Sequence, residues 1–441
     1  MSDRRKVCRL LPSLLPALLF THVLDAQMQL AALPKLARDR AERSRPVQEK
    51  ALEPFWADLT LSYHENQPFL DPRISAAAAL GDSVVPLLLE KLQPAQVSEK
   101  ARSLASNCRR VLERLDPASF TDALVELANG NNEVARSEAI RLLGFANTPQ
   151  SVMLLSDLLD RTAGEEKRLV LRSLKLLKAA GPAAKIVPML GSSDRQVRED
   201  VLAYLIWARP SAVVDAVVQA MGAEKDNRLL PDYIAYFSAA AREHDAAARA
   251  LLPLLDRDRL DSYQEKIRLA EALATIAPRM HEPTCRKMHE ILDTGDTTSL
   301  AVKAAVTLRT LGDRSGVSKL EHTLDDQVRK RKKDSTLYEQ RANLFMAIDR
   351  YADAIADFEM IIDNTDGLAM TRRAYLGLIK CEARRRKVDN FTKFMRASGM
   401  LVAEIEGIED PAVREMLQHD KVRKDLQKLA KEQAPKEQAP K

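Results

Sequence analysis

The chain has 441 residues, of which 46% are hydrophobic and 30% charged, so it can bury a sizeable core and is not a disordered polypeptide. Its 14 glycines and 5% aromatic content, with abundant alanine, leucine, arginine and glutamate, favour helices and argue against β-sandwiches and barrels. The 68 basic and 63 acidic residues nearly cancel, and a net charge of +5 does not by itself indicate a nucleic-acid partner. We therefore expect an all-α protein.

The first 26 residues have the pattern of a cleavable signal peptide. Basic residues precede the apolar run Leu10–Phe20, which is too short to span a bilayer, and Ala26 is the small residue before the expected cut. We predict export to the periplasm or the cell exterior, with cleavage after Ala26. A cytosolic arm or an organelle transit peptide stays open, because Leu24 and Asp25 are unusual next to a cut. Two adjacent arginines also leave open whether export is general secretory or twin-arginine.

A short helical motif recurs along the middle of the chain, and successive copies end about one or two units of thirty-odd residues apart. Each copy has a basic residue near its start, then alanine and leucine residues at helical spacing, and glycine or alanine near its end. The copies are Val134–Ala146, Glu166–Gly181, Gln196–Ala208, Glu265–Ala277 and Leu300–Asp313. Shorter amphipathic segments lie between them, so each period is two helices. Because one pair cannot bury both faces of its apolar stripe, the sequence predicts a curved α-solenoid of about seven stacked antiparallel pairs.

The segment Val302–Asp313 has the form V-x-A-A-x-x-L-x-x-L-G-D. Three prolines, Pro86, Pro188 and Pro253, recur inside the first helix of their units, where each would bend the helix. These features resemble HEAT repeats, especially the short bacterial HEAT-like class also seen in phycobilin lyases. The resemblance covers residues 74–325 and implies a fold rather than a particular function. The lyase likeness leaves an enzyme or enzyme-accessory role as the alternative function.

Residues 337–366 resemble one tetratricopeptide repeat. The residues that carry the resemblance are Tyr338, Ala342, Asn343, Phe345, Tyr351, Ala354, Ile355 and Phe358. It implies that Ala342 is a close helix contact, that Ala354 lies where paired helices cross, and that Phe358 fills the space beneath. A second such unit follows, so residues 336–402 are predicted to be tetratricopeptide-like. Family members with a peptide-carboxylate clamp have a lysine where Glu339 stands, and we do not expect that activity here.

The remaining segments complete the predicted organisation. Residues 27–73 are a helical lead-in, residues 327–335 a solvated basic junction, and residues 403–427 a terminal helix. Residues 428–441 contain KEQAP twice and almost no apolar side chain, so they are predicted to be a disordered tail.

Residues 281–289 place two histidines and a cysteine, His281, Cys285 and His289, at i, i+4 and i+8. Such a row would offer zinc ligands, but it spans ~12 Å, which is too long for one ion. Pro283 marks a first helical turn, so we expect His281 at a loose helix end and Cys285 in a core stripe with Met288. We therefore predict no metal site.

After export the chain keeps three cysteines, Cys108, Cys285 and Cys381, which we expect to be free and buried. The sequence contains no glycine-rich phosphate loop, metalloprotease helix or nucleophile elbow. We predict no catalytic residue, no cofactor and no small-molecule substrate.

The second helices of the pairs are expected to line a groove that binds an extended peptide or a partner helix. The predicted partner-binding residues are Arg136, Arg141, Arg168, Arg172, Arg198, Arg268, Tyr338 and Asn343. The recurring arginines would suit acidic partner segments, and salt bridges between repeats are the open alternative. The basic clusters Arg329–Lys333 and Arg384–Lys387 either face an anionic surface or are solvated helix faces; nucleic acid is not expected. We predict a non-enzymatic scaffold or adaptor of the bacterial cell envelope.

Overall fold

The computed structural model describes residues 45–256, 260 and 262–433, and every regular element in those ranges is a helix. The helices pack on their neighbours in chain order, which confirms the predicted all-α solenoid. The chain divides into two compact units. Of the described residues, unit 1 contains those within 45–189 and Asp194–Ala208, and unit 2 contains those within Leu190–Ser193 and 209–433. The predicted signal peptide lies outside the described residues.

The first helix described in unit 1 ends at residue 59 and is called α1. The helices that follow are α2 (Tyr63–Ala78), α3 (Val85–Lys91), α4 (Glu99–Glu113), α5 (Thr121–Asn129), α6 (Glu133–Ala146), α7 (Pro149–Arg161), α8 (Gly164–Leu176), α9 (Ala183–Ile186) and α10 (Arg195–Ala208). From α3 onward they follow the predicted alternation of first and second helices. The second helices α4, α6, α8 and α10 pack on one another in sequence, and together we call them the second-helix row.

Unit 2 continues the same alternation. Its helices are α11 (Val214–Ala223), α12 (Leu230–Ala240), α13 (Asp245–Leu251), α14 (Tyr263–Ile276), α15 (Glu282–Asp293), α16 (Ser299–Leu311), α17 (Ser315–Lys330), α18 (Ser335–Ala347), α19 (Tyr351–Asn364), α20 (Leu368–Arg384), α21 (Val388–Ala397), α22 (Val402–Glu406), α23 (Pro411–Leu417) and α24 (Asp420–Gln433). In its last third, α18 packs on α19 and α19 on α20, at the positions predicted for tetratricopeptide-like pairs.

Polar side chains begin several of these helices. Ser98 accepts a hydrogen bond from the backbone N–H of Ala101 at 3.1 Å, and Asn132 accepts one from Ala135 at 3.1 Å. Each cap satisfies a backbone donor that has no partner inside its own helix. The connections from a first helix to its second helix are therefore encoded locally, by residues that precede the apolar stripe.

The three recurring prolines divide the first helices of their helix pairs. Pro86 lies in the first turn of α3, directly after a 3-10 turn at Gly81–Val84. Pro253 lies in a 3-10 turn that continues α13, and Pro188 lies in the 3-10 turn Val187–Gly191. Since proline lacks the donor for an α-helical hydrogen bond, the backbone changes its winding at these points. The predicted bends are present as changes between α and 3-10 winding.

The helices α6 and α8 approach closely because one of them carries a glycine. A Cβ atom added to Gly144 would lie 3.0 Å from both Cα and Cβ of Ser173. The Ser173 hydroxyl donates a hydrogen bond of 2.8 Å to the carbonyl of Ile140, one turn earlier on α6. Unit 2 has the same kind of contact, since the hydroxyl of Thr307 on α16 donates a hydrogen bond of 2.7 Å to the carbonyl of Ala270 on α14. Small hydroxyl residues thus fix the register between successive second helices.

Two predicted boundaries differ from the structure. The basic junction at residues 327–335 is helical as far as Lys330, because Val328 is 7% exposed and belongs to the core of the following helices. The terminal region 403–427 is not one helix but parts of α22, α23 and α24, separated at Pro411 and before Asp420. The last helix also continues past the predicted start of the tail at Lys428, and residues 434–441 lie outside the described residues.

We expect Gly144→Ala to lower the free energy of unfolding by about 1–2 kcal/mol, because the strain of the new methyl group against Ser173 exceeds the gain of up to about 1 kcal/mol in helix propensity. Urea unfolding followed by circular dichroism measures this change. The control is Gly222→Ala in α11, where an added Cβ has no neighbouring atom within 4 Å. That variant should be neutral or more stable than the parent. Equal effects at both positions would show that close packing at Gly144 does not matter.

Candidate protein-interaction surface

The four helices of the second-helix row share one register. Equivalent residues recur at an interval of 31, as Cys108, Ala139, Val170 and Val201 do, and all four are fully buried. Contacts between neighbouring helices connect their early turns with early turns and later turns with later turns, so the helices run parallel. A side chain that points to solvent on one helix is therefore followed by an equivalent one on the next. The solvent-facing side consists of rows that run across the helices.

Arginine and carboxylate side chains connect neighbouring helices in this row. The links are Arg109 to Glu138 (2.6 Å), Arg136 to Glu166, and Arg168 to Asp200 (2.9 Å). The hydrogen bond to Asp200 raises the pKa of the Arg168 guanidinium. Arg136 and Arg168 were predicted to bind a partner, but each is engaged with the next helix and is less than a third exposed. For these two, the structure favours the alternative of salt bridges between repeats.

Arg141 and Arg172 face solvent more than their carboxylate partners do. The Arg141 side chain is 40% exposed, against 14% for Glu138, and Arg172 is 44% exposed, against 16% for Asp200. Arg110 occupies the equivalent position on α4, where its guanidinium lies 3.5 Å from the ring centroid of Tyr63. We call Arg110, Arg141 and Arg172 the basic row. Glu138 and Asp200 lie deeper than Arg141 and Arg172, so these two arginines present positive charge outward, although Glu165, which is 59% exposed, also lies 3.7 Å from Arg172.

An apolar row runs beside the basic row. Phe145, Leu176 and Trp207 again lie 31 residues apart and are 45%, 53% and 51% exposed. Phe145 and Leu176 follow Arg141 and Arg172 by four residues, one helical turn, so the two rows are neighbours. Large apolar side chains that are exposed at equivalent positions on three adjacent helices are typical of a contact surface. Sequence reasoning missed this row, although comparing the repeats at a fixed interval of 31 residues would have found it.

The other predicted partner-binding residues have different environments. Arg198 is half-buried and engaged with other residues, whereas Arg268 is exposed on α14. Tyr338 is 6% exposed within the core of α18 and its neighbours, so its prediction as a contact residue is wrong. The Tyr338 ring packs in this core, and so does the side chain of Ala342. Asn343 is exposed and lines a groove of about 330 Å³ between α16, α18 and α20, where Arg384 also lies.

The structure places His281 immediately before α15, where it is 6% exposed. Its ring nitrogens lie 2.7 Å from Oγ1 of Thr284 and 3.0 Å from Oδ1 of Asp245 on α13. The expectation of a loose helix end is wrong, because this histidine connects two successive first helices. On the same helix, Nε2 of His289 lies 2.7 Å from Oδ2 of Asp313. The two histidines therefore contact different carboxylates, Asp245 and Asp313.

Met288 is fully buried in the core stripe of α15, as predicted, but Thr284 rather than Cys285 is the buried residue one turn before it, and Cys285 is half-buried. Cys108 and Cys381 are buried as predicted, and burial raises the pKa of both thiols to about 12. Within the described ranges, no three His, Cys, Asp or Glu side chains converge in a way that could hold a metal ion.

Most residues of the two basic clusters of unit 2 lie within ion-pair distance of a carboxylate. Arg329 and Lys330 lie near Asp326, and Arg331 lies near Asp334. The second cluster is similar. Its pairs are Arg384 with Asp410, Arg385 with Glu382, and Arg386 with Glu415. The geometry favours solvated helix faces with local ion pairs over an anion-binding surface.

In the described part of the chain, no single helix is long and apolar enough to cross a membrane; α2 and the segment Gly81–Lys91 pass such a test of length and composition only together, with a bend of 102° between them.

No family model matches the chain, and no curated protein sequence matches it. Among solved structures it is similar to the crystal structure of an engineered protein, with 16% identity, coverage of 87% of this chain and 96% of that chain, and a TM-score of 0.38. It is also similar to a structure from work on a phosphorylation switch that controls the interaction between cadherin and beta-catenin, with 11% identity, coverage of 78% and 91%, and a TM-score of 0.37. At such values neither likeness bears on function.

The pairing of Asp313 predicts a pH dependence of stability. Hydrogen bonds from Ser315 and His289 hold the pKa of this carboxyl below its ordinary value. A carboxyl with a lowered pKa stabilises the fold above its unfolded-state pKa, and the contribution disappears as the pH falls through its folded-state pKa. We expect Asp313→Asn to cost about 1–2 kcal/mol of unfolding free energy at pH 7 and progressively less below about pH 4. Urea unfolding of the parent and the variant at several pH values measures this cost and its change with pH. A cost that does not change with pH would contradict the assignment.

Proposed function

We propose that this protein is a non-enzymatic scaffold that binds a partner protein along the solvent-facing side of the second-helix row. The observation that carries the proposal is the apolar row of Phe145, Leu176 and Trp207, at 45%, 53% and 51% exposure. A solenoid interior is already filled by the residues that face neighbouring helices. Large apolar side chains that stay half exposed at the same position of three repeats therefore support a contact with another molecule.

The area that this row offers is modest. Covering the exposed half of each side chain removes on the order of 100 Å² of apolar surface, which stabilises a complex by about 2–3 kcal/mol per residue. Association costs about 4–15 kcal/mol in translational, rotational and side-chain freedom. The apolar row alone therefore gives weak binding, and contacts with flanking charged residues would be needed for a stable complex.

A non-catalytic role is supported by the use that the protein makes of its polar groups. The arginines and carboxylates of the early turns connect adjacent helices, and the histidines of α15 are held by the carboxylates of Asp245 and Asp313. Each of these groups has an architectural use. We retain the lyase-like alternative only as a resemblance, since no described cluster of side chains favours it.

We also propose the finer classification of the repeats. Division of first helices at Pro86 and Pro253 supports the HEAT-like class for the earlier pairs. Full burial of Ala342 and Ala354 between α18 and α19 supports the tetratricopeptide-like class for the later ones. Phe358 packs directly on Gly377 of α20, as the aromatic residue under a paired helix would.

The scaffold proposal is tested with a triple variant, Phe145→Ser, Leu176→Ser and Trp207→Ser. Chemical cross-linking in the native cell followed by mass spectrometry should show that partners captured by the parent are lost, because the contact surface has become polar. The matched control is Met280→Ser, Leu368→Ser and Leu401→Ser in unit 2, which changes side chains that are 58%, 75% and 57% exposed. Both variants should keep the helical circular dichroism of the parent. Capture of the same partners by the first variant would refute the proposed surface.

Export remains part of the proposal, and it places the scaffold in the bacterial envelope or outside the cell. Terminal sequencing of the mature protein from fractionated cells should show that the chain begins at Gln27. Replacement of Ala26 by a bulky residue should slow cleavage and leave a larger precursor, because processing requires a small side chain there. An intact amino terminus in the cytosolic fraction would exclude export.

A further inference from the structure

We propose that the partner segment is an amphipathic α-helix with acidic residues along one flank, which lies across the second-helix row. Its apolar residues contact the apolar row, and its carboxylates face the basic row. This inference rests on the proposed scaffold function and adds the chemistry and the secondary structure of the bound segment. Three features of the surface carry it: the spacing of the rows, their separation, and the depth at which charges lie.

The spacing across the row matches the repeat of a helix. Neighbouring packed helices lie about 8–10 Å apart, so Phe145, Leu176 and Trp207 follow one another at about that interval. An α-helix rises about 1.5 Å per residue, so seven residues advance about 10.5 Å and return to nearly the same face after two turns. A helix laid across α6, α8 and α10 thus presents residues i, i+7 and i+14 to the three apolar side chains in turn.

Extended chains fit the same spacing less well. A β-strand covers about 10 Å in three residues, and an odd step turns alternate side chains away from the surface. A polyproline II segment returns to the same face every three residues, after about 9.3 Å, so its spacing fits. Its intervening side chains, however, point away from the row rather than along a flank. It would therefore cover the apolar row and leave the basic row exposed.

The separation of the two rows fits a helix as well. Arg141 precedes Phe145 by one turn and Arg172 precedes Leu176 by one turn, which places the rows about 5–6 Å apart. A helix with side chains is about 10–12 Å wide, so its apolar stripe and one flank can cover both rows together. Residues on that flank lie opposite guanidinium groups on α6 and α8, where Arg141 and Arg172 lie.

The charge on that flank follows from the depth of the ion pairs. Arg141 and Arg172 are 40% and 44% exposed, whereas the carboxylates beneath them, Glu138 and Asp200, are 14% and 16% exposed. Those carboxylates keep a second arginine of their own, Arg109 for Glu138 and Arg168 for Asp200. The outward face of the Arg141 guanidinium is therefore available to a carboxylate of a partner. The Arg172 guanidinium also lies 3.7 Å from Glu165, which is 59% exposed, so a partner carboxylate there would share or replace that surface contact. At the end of the apolar row, Nζ of Lys178 lies 5.1 Å from the ring centroid of Trp207 and adds another cation.

The test uses synthetic peptides and the local fluorescence of Trp207. Because the chain has 2 tryptophans, Trp56→Phe leaves Trp207 as the single emitter. The first peptide is a helix of about 21 residues, three heptads, with leucine at i, i+7 and i+14 and glutamate along one flank. The second has lysine in place of each glutamate. The third is a polyproline II peptide with leucine at every third position and the same number of glutamates.

We expect the glutamate helix to bind, to shift Trp207 emission to shorter wavelength and to protect it from acrylamide quenching. The lysine helix and the polyproline peptide should bind at least about tenfold more weakly, and added salt should weaken the glutamate helix. The double variant Arg141→Ala and Arg172→Ala should also lose about tenfold in affinity, and it leaves neither Glu138 nor Asp200 without an arginine. Equal binding of both charge versions, preference for the polyproline peptide, or failure of every peptide to bind overturns the inference.

The two proposals fail in different ways. If native partners depend on Phe145, Leu176 and Trp207 but the glutamate helix does not bind, the scaffold function stands and the acidic helix is excluded as its ligand. If native capture survives loss of the apolar row, the scaffold surface itself is refuted.

Discussion

The structure depends on one constraint: no pair of helices in this chain can bury its own apolar surface. The second helices α4, α6 and α8 of unit 1 are each covered by the next one, and the buried positions recur at an interval of 31 residues, as at Ala139 and Val170. Close approach requires small groups, and these are present as Gly144 against Ser173. Hydroxyl groups then donate to carbonyls of the previous helix, which sets the register along the axis. A shared register is what aligns the outward side chains into rows.

The charges of the second-helix row are sorted by depth rather than spread evenly. Glu138 and Asp200 lie close to the packed interior, where two arginines reach each of them, and one arginine of each set extends to solvent. Such an arrangement satisfies the buried acids without neutralising the outer surface.

The fold could be predicted from the sequence because its determinants are local. Helical stripes, polar caps such as Asn132, and prolines in first helices all act within one or two turns. Details that depend on tertiary packing were predicted less well. The ring of Tyr338 and the side chain of His281 are buried by neighbouring helices, and α15 has its core stripe at Thr284 rather than Cys285. The apolar row was missed for a related reason: within any single helix, one exposed phenylalanine or tryptophan is unremarkable, and its meaning comes from equivalent positions on adjacent helices.

The fixed interval of 31 residues makes each period of unit 1 an interchangeable module. Because contacts pass from one second helix to the next, a duplication or an excision of one whole period preserves the burial pattern on both sides of the change. When the period contains α6 or α8, the change adds or removes one anchoring side chain and one guanidinium at the surface, because these two helices carry both rows. With a helical ligand, each such event would lengthen or shorten the bound segment by one heptad. The reach of the surface can therefore be adjusted in steps during evolution or by design, without rebuilding the interior.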